Sequence, residues 1–212
     1  MRSVSGFVAK MSILVFIASL GLTGCDDFSV IAQFEANAGL GLLIQKGEVV
    51  PGETIELYPS GGYEPYSYGI VTEQLVYGSS PGSIADHHYT AATSIGDVRI
   101  YLFDKKDSSV SEVVTILPPT PENFSANGAT GNNATIDLSW NWSLSEELIS
   151  GFQIYRSTDG GPFELIASPA SSARSFTDSG NPDVPYSYRL YAVTDNYVSN
   201  PTLEKTAQTN PP

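Results

Sequence analysis

Pro185-Tyr186-Ser187-Tyr188-Arg189-Leu190-Tyr191-Ala192-Val193-Thr194-Asp195 alternates side chains with a period of two over a full strand length. Such alternation belongs to a strand buried on one face only. It sends Tyr186, Tyr188, Leu190 and Ala192 inward and leaves Arg189 and Tyr191 outside. The pattern recurs upstream. Ala134-Thr-Ile-Asp-Leu-Ser-Trp-Asn-Trp142 puts Ile136, Leu138 and Trp140 on one face. Gly151-Phe-Gln-Ile-Tyr-Arg-Ser157 turns Phe152 and Ile154 one way and Gln153 and Tyr155 the other. Asp159-Gly160-Gly161-Pro162 makes a turn, and a further strand starts at Phe163.

The composition fits this reading. The chain has 19 glycines, 14 prolines and 12 tyrosines, which suit short strands joined by tight turns. No stretch carries a sustained helical period with caps; residues 143–150 are the one short candidate. The expected class is all-β. Leu117-Pro118-Pro119-Thr120-Pro121 divides the chain. Three prolines in four residues favour an extended, semi-rigid spacer that no strand can cross. The flanks, 37–117 and 122–212, each have the length of one sandwich domain, so two tandem antiparallel β-sandwiches joined by a linker at 118–121 are expected.

The second segment resembles a fibronectin type III domain. The resemblance rests on the leading prolines, Trp140, Ile154-Tyr155-Arg156-Ser157 and the tyrosine-rich strand from Pro185. It implies that Tyr186 is a tyrosine corner whose buried hydroxyl bonds to nearby backbone. No Arg-Gly-Asp occurs, and the loop that carries it in animal relatives here reads Asp195-Asn-Tyr-Val-Ser-Asn200, so integrin-type binding is not implied. The first segment contains Gly61-Gly62-Tyr63-Glu64-Pro65-Tyr66-Ser67-Tyr68, then Tyr89-Thr90-Ala91, then Gly96-Asp97-Val98-Arg99-Ile100. This order resembles bacterial Ig-like repeats of surface proteins. No cysteine pair is available for an inter-sheet disulfide, so packing must stabilise it.

Residues 1–24 have the three-part form of a cleaved export signal. Arg2 and Lys10 precede any acid, Met11 to Leu22 is mostly apolar, and Thr23-Gly24 is small. Twelve apolar residues are too few for a membrane span, which needs ~20. Leu22-Thr23-Gly24-Cys25 resembles the lipobox of bacterial lipoproteins, and Cys25 is the single cysteine of the chain. The resemblance implies cleavage after Gly24, a diacylglyceryl thioether on Cys25 and acylation of the new amino terminus. Each buried methylene would contribute about 0.8 kcal/mol to holding the protein on a bilayer. Residues 25–36 become a lipidated tether, and the compartment is the cell envelope, facing the periplasm or the surface.

The formal net charge is −13, and removal of Arg2 and Lys10 with the leader takes it to −15. Both modules are acidic, and only Lys105-Lys106 forms a basic pair. Nucleic acid, which needs clustered cations, is excluded as a partner.

Candidate chemistry is sparse. His87 and His88 are the only histidines; neighbours on a strand point to opposite faces, so a surface turn suits them better than a metal site. Consecutive Glu146-Glu147 reads as a solvated pair, and no nucleophile–base pair is visible. Asp97, Asp104 and Asp107 lie around the last strands of the first segment, where some sandwich relatives bind calcium, but they lack the dense spacing of a dedicated loop. Asn123, Asn133 and Asn141 head Asn-x-Ser/Thr triplets that carry no weight in a bacterial lipoprotein. No catalytic residue, metal or cofactor is expected. The best candidate site is a face: Gln153, Tyr155, Arg189 and Tyr191 fall outside on neighbouring strands, and Tyr and Arg are the residue types that anchor interfaces. The expected function is a membrane-anchored, non-catalytic binding, adhesion or envelope-assembly module, its partners membrane lipid through Cys25 and an envelope protein or glycan. The alternatives are a structural stalk with no dedicated ligand, or an accessory carbohydrate-binding protein. The last requires exposed aromatics along a groove, with Tyr63, Tyr66, Tyr68 and Trp142 as candidates.

Overall fold

A computed structural model describes residues 39–77, 80–128 and 135–209. The signal peptide, Cys25, the 25–36 tether and Asn133 lie outside the described residues. Among the described residues eight strands form before the proline segment: β1 (Gly41–Ile44), β2 (Glu48–Val49), β3 (Thr54–Ser60), β4 (Ser67–Tyr77), β5 (Ser83–Ala85), β6 (His88–Thr90), β7 (Ile95–Phe103) and β8 (Ser109–Ile116). Seven follow it: β9 (Glu122–Gly128), β10 (Thr135–Asn141), β11 (Gly151–Thr158), β12 (Glu164–Ala167), β13 (Ser175–Ser179), β14 (Pro185–Val193) and β15 (Lys205–Gln208). The candidate helix at 143–150 shrinks to a single 3₁₀ turn, Glu146–Leu148, whose first turn is capped by Ser145. No helix among the described residues is long and apolar enough to cross a membrane.

Each module is two sheets face to face. In the first, one sheet runs β1-β3-β6-β5 and the other β2-β8-β7-β4. The pairing is antiparallel except for β2, which runs parallel to β8 through Val49 and Ile116. In the second, the sheets run β13-β10-β9 and β12-β11-β14-β15. The modules differ in their fourth strand. β5 pairs with β6, giving the first module the four-plus-three arrangement of an immunoglobulin constant domain, extended by β2. In the second module β12 pairs instead with β11, on the opposite sheet.

The alternation expected for 185–195 is realised along β14. Tyr186, Tyr188, Leu190 and Ala192 are buried, while the residues between them are half-buried. They meet Ile136, Leu138 and Trp140 from the facing sheet. Trp140 and Phe152 pack edge to face, their centroids 5.3 Å apart. The first core gathers Ile55, Leu57, Tyr89, Val98, Ile100 and Leu102 in the same manner. Full burial of one such side chain contributes about 1.5–3 kcal/mol, which is how two cores without a disulfide hold together.

One glycine is fixed by geometry. Gly96 has φ +137° opposite a register break in β4, and a Cβ there would sit 2.0 Å from the Gln74 carbonyl oxygen.

The proline segment does not act as a free hinge. Pro118 and Pro121 are buried, and Thr120 Oγ1 donates to the Asn200 carbonyl at 3.2 Å. Ile95, at the start of β7, is fully buried within the second module's core cluster. The loop after β14 lies against the first module: burial, and then the Asp97 carboxylate that the phenol faces, push the Tyr197 hydroxyl up. The loop after β14 is thus occupied by a contact between the modules.

Candidate functional site

Strand parity brings the expected face together. β11 and β14 are hydrogen-bonded neighbours, with Gln153 opposite Tyr191 and Tyr155 opposite Arg189. Cross-strand partners lie close enough for their side chains to touch. The Tyr155 and Tyr191 rings stack edge to face at 5.3 Å, and the Tyr155 hydroxyl donates to Gln153 Oε1 at 3.3 Å. Arg189 lies 4.1 Å above the Phe163 ring and pairs with Glu204 at 3.1 Å. All four candidate residues are half-buried. The surface is therefore a preassembled aromatic pair beside a guanidinium. The Arg189–Glu204 pair is exposed on both sides, and such pairs contribute about 0–1 kcal/mol, so a partner carboxylate can take Glu204's place at little cost. Phe163 and Glu204 were not readable as members of this face, because each reaches it from a separate strand or loop.

A second cluster ties the two sheets of this module together. Asp178 on β13 accepts from Arg156 on β11 at 2.9 Å and from the Tyr188 hydroxyl on β14 at 2.8 Å. Burial, and then the Asp178 contact, push the Tyr188 hydroxyl far up. The Tyr186 hydroxyl meets backbone as its corner position implies, accepting from the Asn181 N–H at 2.9 Å. This arrangement is structural, since every member is committed to another.

The remaining candidates disperse. Glu146 pairs with Arg174 at 2.9 Å, while Glu147 is exposed. Among the described residues no three His, Cys, Asp or Glu side chains converge to hold a metal ion. Asp97 accepts from Thr115 Oγ1 at 2.7 Å. Asp104 accepts from the backbone N–H groups of Lys106, Ser108 and Tyr63. Burial raises the Asp104 carboxyl, but these N–H groups outweigh it and hold the group below the ordinary carboxylate range. Lys46 does the same for Glu53, and Arg99 for Glu73. A lowered folded pKa gives stability that is present above the unfolded value, about 4, and is lost as pH falls through the folded one. The first module should therefore lose melting temperature as the pH drops from about 5 towards 2, and Asp104→Asn should flatten that slope; calorimetry across the range measures both.

The four aromatics proposed to line one groove do not share it. Trp142 packs on Phe152 in the second module, with centroids 5.8 Å apart. Tyr63 lies under Lys106 Nζ at 3.4 Å. Only Tyr66 and Tyr68 face a common cleft, shared with Ile70, Ile84, Asp86 and His87.

No protein-family model matches the chain. Nor does any curated protein. Solved structures do. A two-domain fibronectin type III segment of chicken tenascin covers 78% of this chain and 96% of its own, with a TM-score of 0.55 and 14% identity. The chain has the tandem fibronectin type III fold. Within it, the first module departs in pairing β5 on the immunoglobulin side and in the added strand β2 beside β8. A fibronectin-type-III-like protein from Clostridium thermocellum aligns with one module's worth of sequence, 42% of this chain and 90% of its own, at 25% identity and a TM-score of 0.35.

Proposed function

We propose that this chain is a membrane-anchored lipoprotein of the bacterial envelope, held through Cys25, which binds a protein partner without catalysis. The observation that carries the binding reading is the Tyr155–Tyr191 pair beside Arg189 on the outer face of β11 and β14. Two tyrosines already packed on each other lose little side-chain entropy on docking, and each offers a large apolar ring with a polar tip. An arginine held over an aromatic ring stays positioned for a carboxylate or carbonyl from the partner. The acidic remainder of the chain favours a partner with a basic or neutral docking surface.

The test is capture of envelope proteins by the wild-type chain and by a Tyr155→Ala/Tyr191→Ala double variant of matched fold. Central aromatic anchors typically cost about 2 kcal/mol or more each when truncated, so the double variant should weaken capture by about 1,000-fold if the two losses add, and by about 30-fold if the stacked pair acts as one anchor. Unchanged capture by a folded double variant removes this face from the account.

A stalk reading is favoured by a different observation, the burial of Ile95 in the second module's core. A contact of that kind fixes the two modules relative to each other and suits a spacer that holds the Tyr155 face away from the membrane. The two readings are compatible, because a binding face needs support.

A further inference from the structure

β4 and β5 are both edge strands, one in each sheet, and among the described residues no further strand covers either. Between them lies a cleft of about 470 Å³ walled by Tyr66, Tyr68, Ile70 and Ile84, with Asp86 and His87 at its rim. That volume is in the range of small-molecule sites.

The turn at the rim is unusual in its residues. Asp86 and His87 have φ +47° and +62°, the two left-handed positions of a type I′ hairpin turn between Ala85 and His88. Glycine is the cheap residue at the second of these positions, and a side chain there stores strain. The imidazole is put to use. Tyr68 and His87 are joined by a 2.6 Å hydrogen bond through Nδ1, and their rings meet edge to face at 5.6 Å. Burial, and then the neighbouring Tyr66, push the Tyr68 hydroxyl up. When the phenol is the donor in this bond, the neutral imidazole carries its hydrogen on Nε2. The rim then presents a donor, His87 Nε2–H, beside an acceptor, the Asp86 carboxylate, and neither has a further partner among the described residues. Tyr66 is fixed in turn by its hydroxyl, which donates to the Gly61 carbonyl at 2.6 Å.

We propose that this cleft binds a neutral pyranoside. The Tyr66 and Tyr68 rings and the Ile70–Ile84 floor take the apolar C–H face of the sugar. Asp86 and His87 take two adjacent hydroxyls, one donating to the carboxylate and its neighbour accepting from Nε2–H. Among the described residues no lysine or arginine lines the cleft and the one carboxylate there is Asp86, which disfavours an anion. A cation would satisfy Asp86 but would face the Nε2–H donor. The site is separate from the Tyr155–Tyr191 face, so either can fail without the other.

Saturation-transfer NMR of the full-length protein in detergent tests this, with methyl glucoside, methyl galactoside, methyl mannoside, N-acetylglucosamine, cellobiose and chitobiose as probes. At least one should bind. His87→Gly relieves the left-handed strain and should keep or raise the melting temperature while weakening that probe about tenfold or more. Asp86→Asn preserves the turn and should weaken it several-fold, because a charge-assisted acceptor is replaced by a neutral one. Absence of binding by all six probes overturns the proposal. So does undiminished binding by His87→Gly, or displacement of a bound probe by tetramethylammonium at equal concentration.

Discussion

Asp178→Ala is expected to destabilise the second module by about 3 kcal/mol, at the lower end of what breaking a buried ion pair costs. Asp178 lies on one sheet and both its side-chain partners lie on the other, so a single carboxylate clamps the sandwich at its edge. Its removal leaves two groups stranded. The Tyr188 hydroxyl is fully buried and loses its acceptor. The Arg156 side chain is 27% exposed, so water recovers part of its charge, which is why the lower end applies. Tyr188→Phe, by contrast, removes a donor and leaves Asp178 paired with Arg156, and should cost about 1 kcal/mol. Both tryptophans of the chain, Trp140 and Trp142, belong to this module. Tryptophan fluorescence during denaturant unfolding therefore reports this module directly, and an Asp178→Ala loss below about 1 kcal/mol contradicts the clamp.

Trp140→Ala should cost about 4 kcal/mol, the magnitude of a large aromatic removed from a packed core. Trp140 is 2% exposed and fills the space between the sheets against Phe152. Its indole N–H has no acceptor among the described residues. An unsatisfied buried donor itself costs about 1–3 kcal/mol, so the ring's packing must outweigh a penalty already present in the native state. Trp140→Phe removes both the penalty and part of the packing, and a loss of only about 1 kcal/mol is expected. Far-UV circular dichroism follows these two variants, since the fluorophore itself is changed. Equal losses for alanine and phenylalanine would show that the indole's volume is not what matters there.

Local pattern made much of the fold legible. The alternation of 185–195 named the buried and outward residues of β14, and the same parity on β11 placed Tyr155 and Gln153 beside Tyr191 and Arg189. Period two carries that information because a strand side chain has only two directions. The placement of β5 was not legible, since three residues can pair on either sheet and only their partner decides. The Arg156–Asp178 contact spans two sheets and 22 positions, and periodicity says nothing of which inward polar residues meet. The contact of Ile95 with the second module joins segments with no sequence relation, so local pattern could not show it. The cleft is the extreme case. Tyr66 and Tyr68 looked like members of an aromatic run, and His87 like a surface-turn residue. Only the gap between two edge strands brings them together.

Everything proposed about where this protein acts rests on Cys25. The direct measurement is metabolic labelling with a radioactive fatty acid, followed by membrane fractionation, of the wild-type chain and of Cys25→Ala. The wild type should carry the label and sediment with membranes. Cys25→Ala should carry none and should not be retained on membranes as a lipoprotein. A Cys25→Ala chain that remains membrane-bound without lipid would mean that residues 1–24 are an uncleaved anchor, and the lipoprotein account would be wrong.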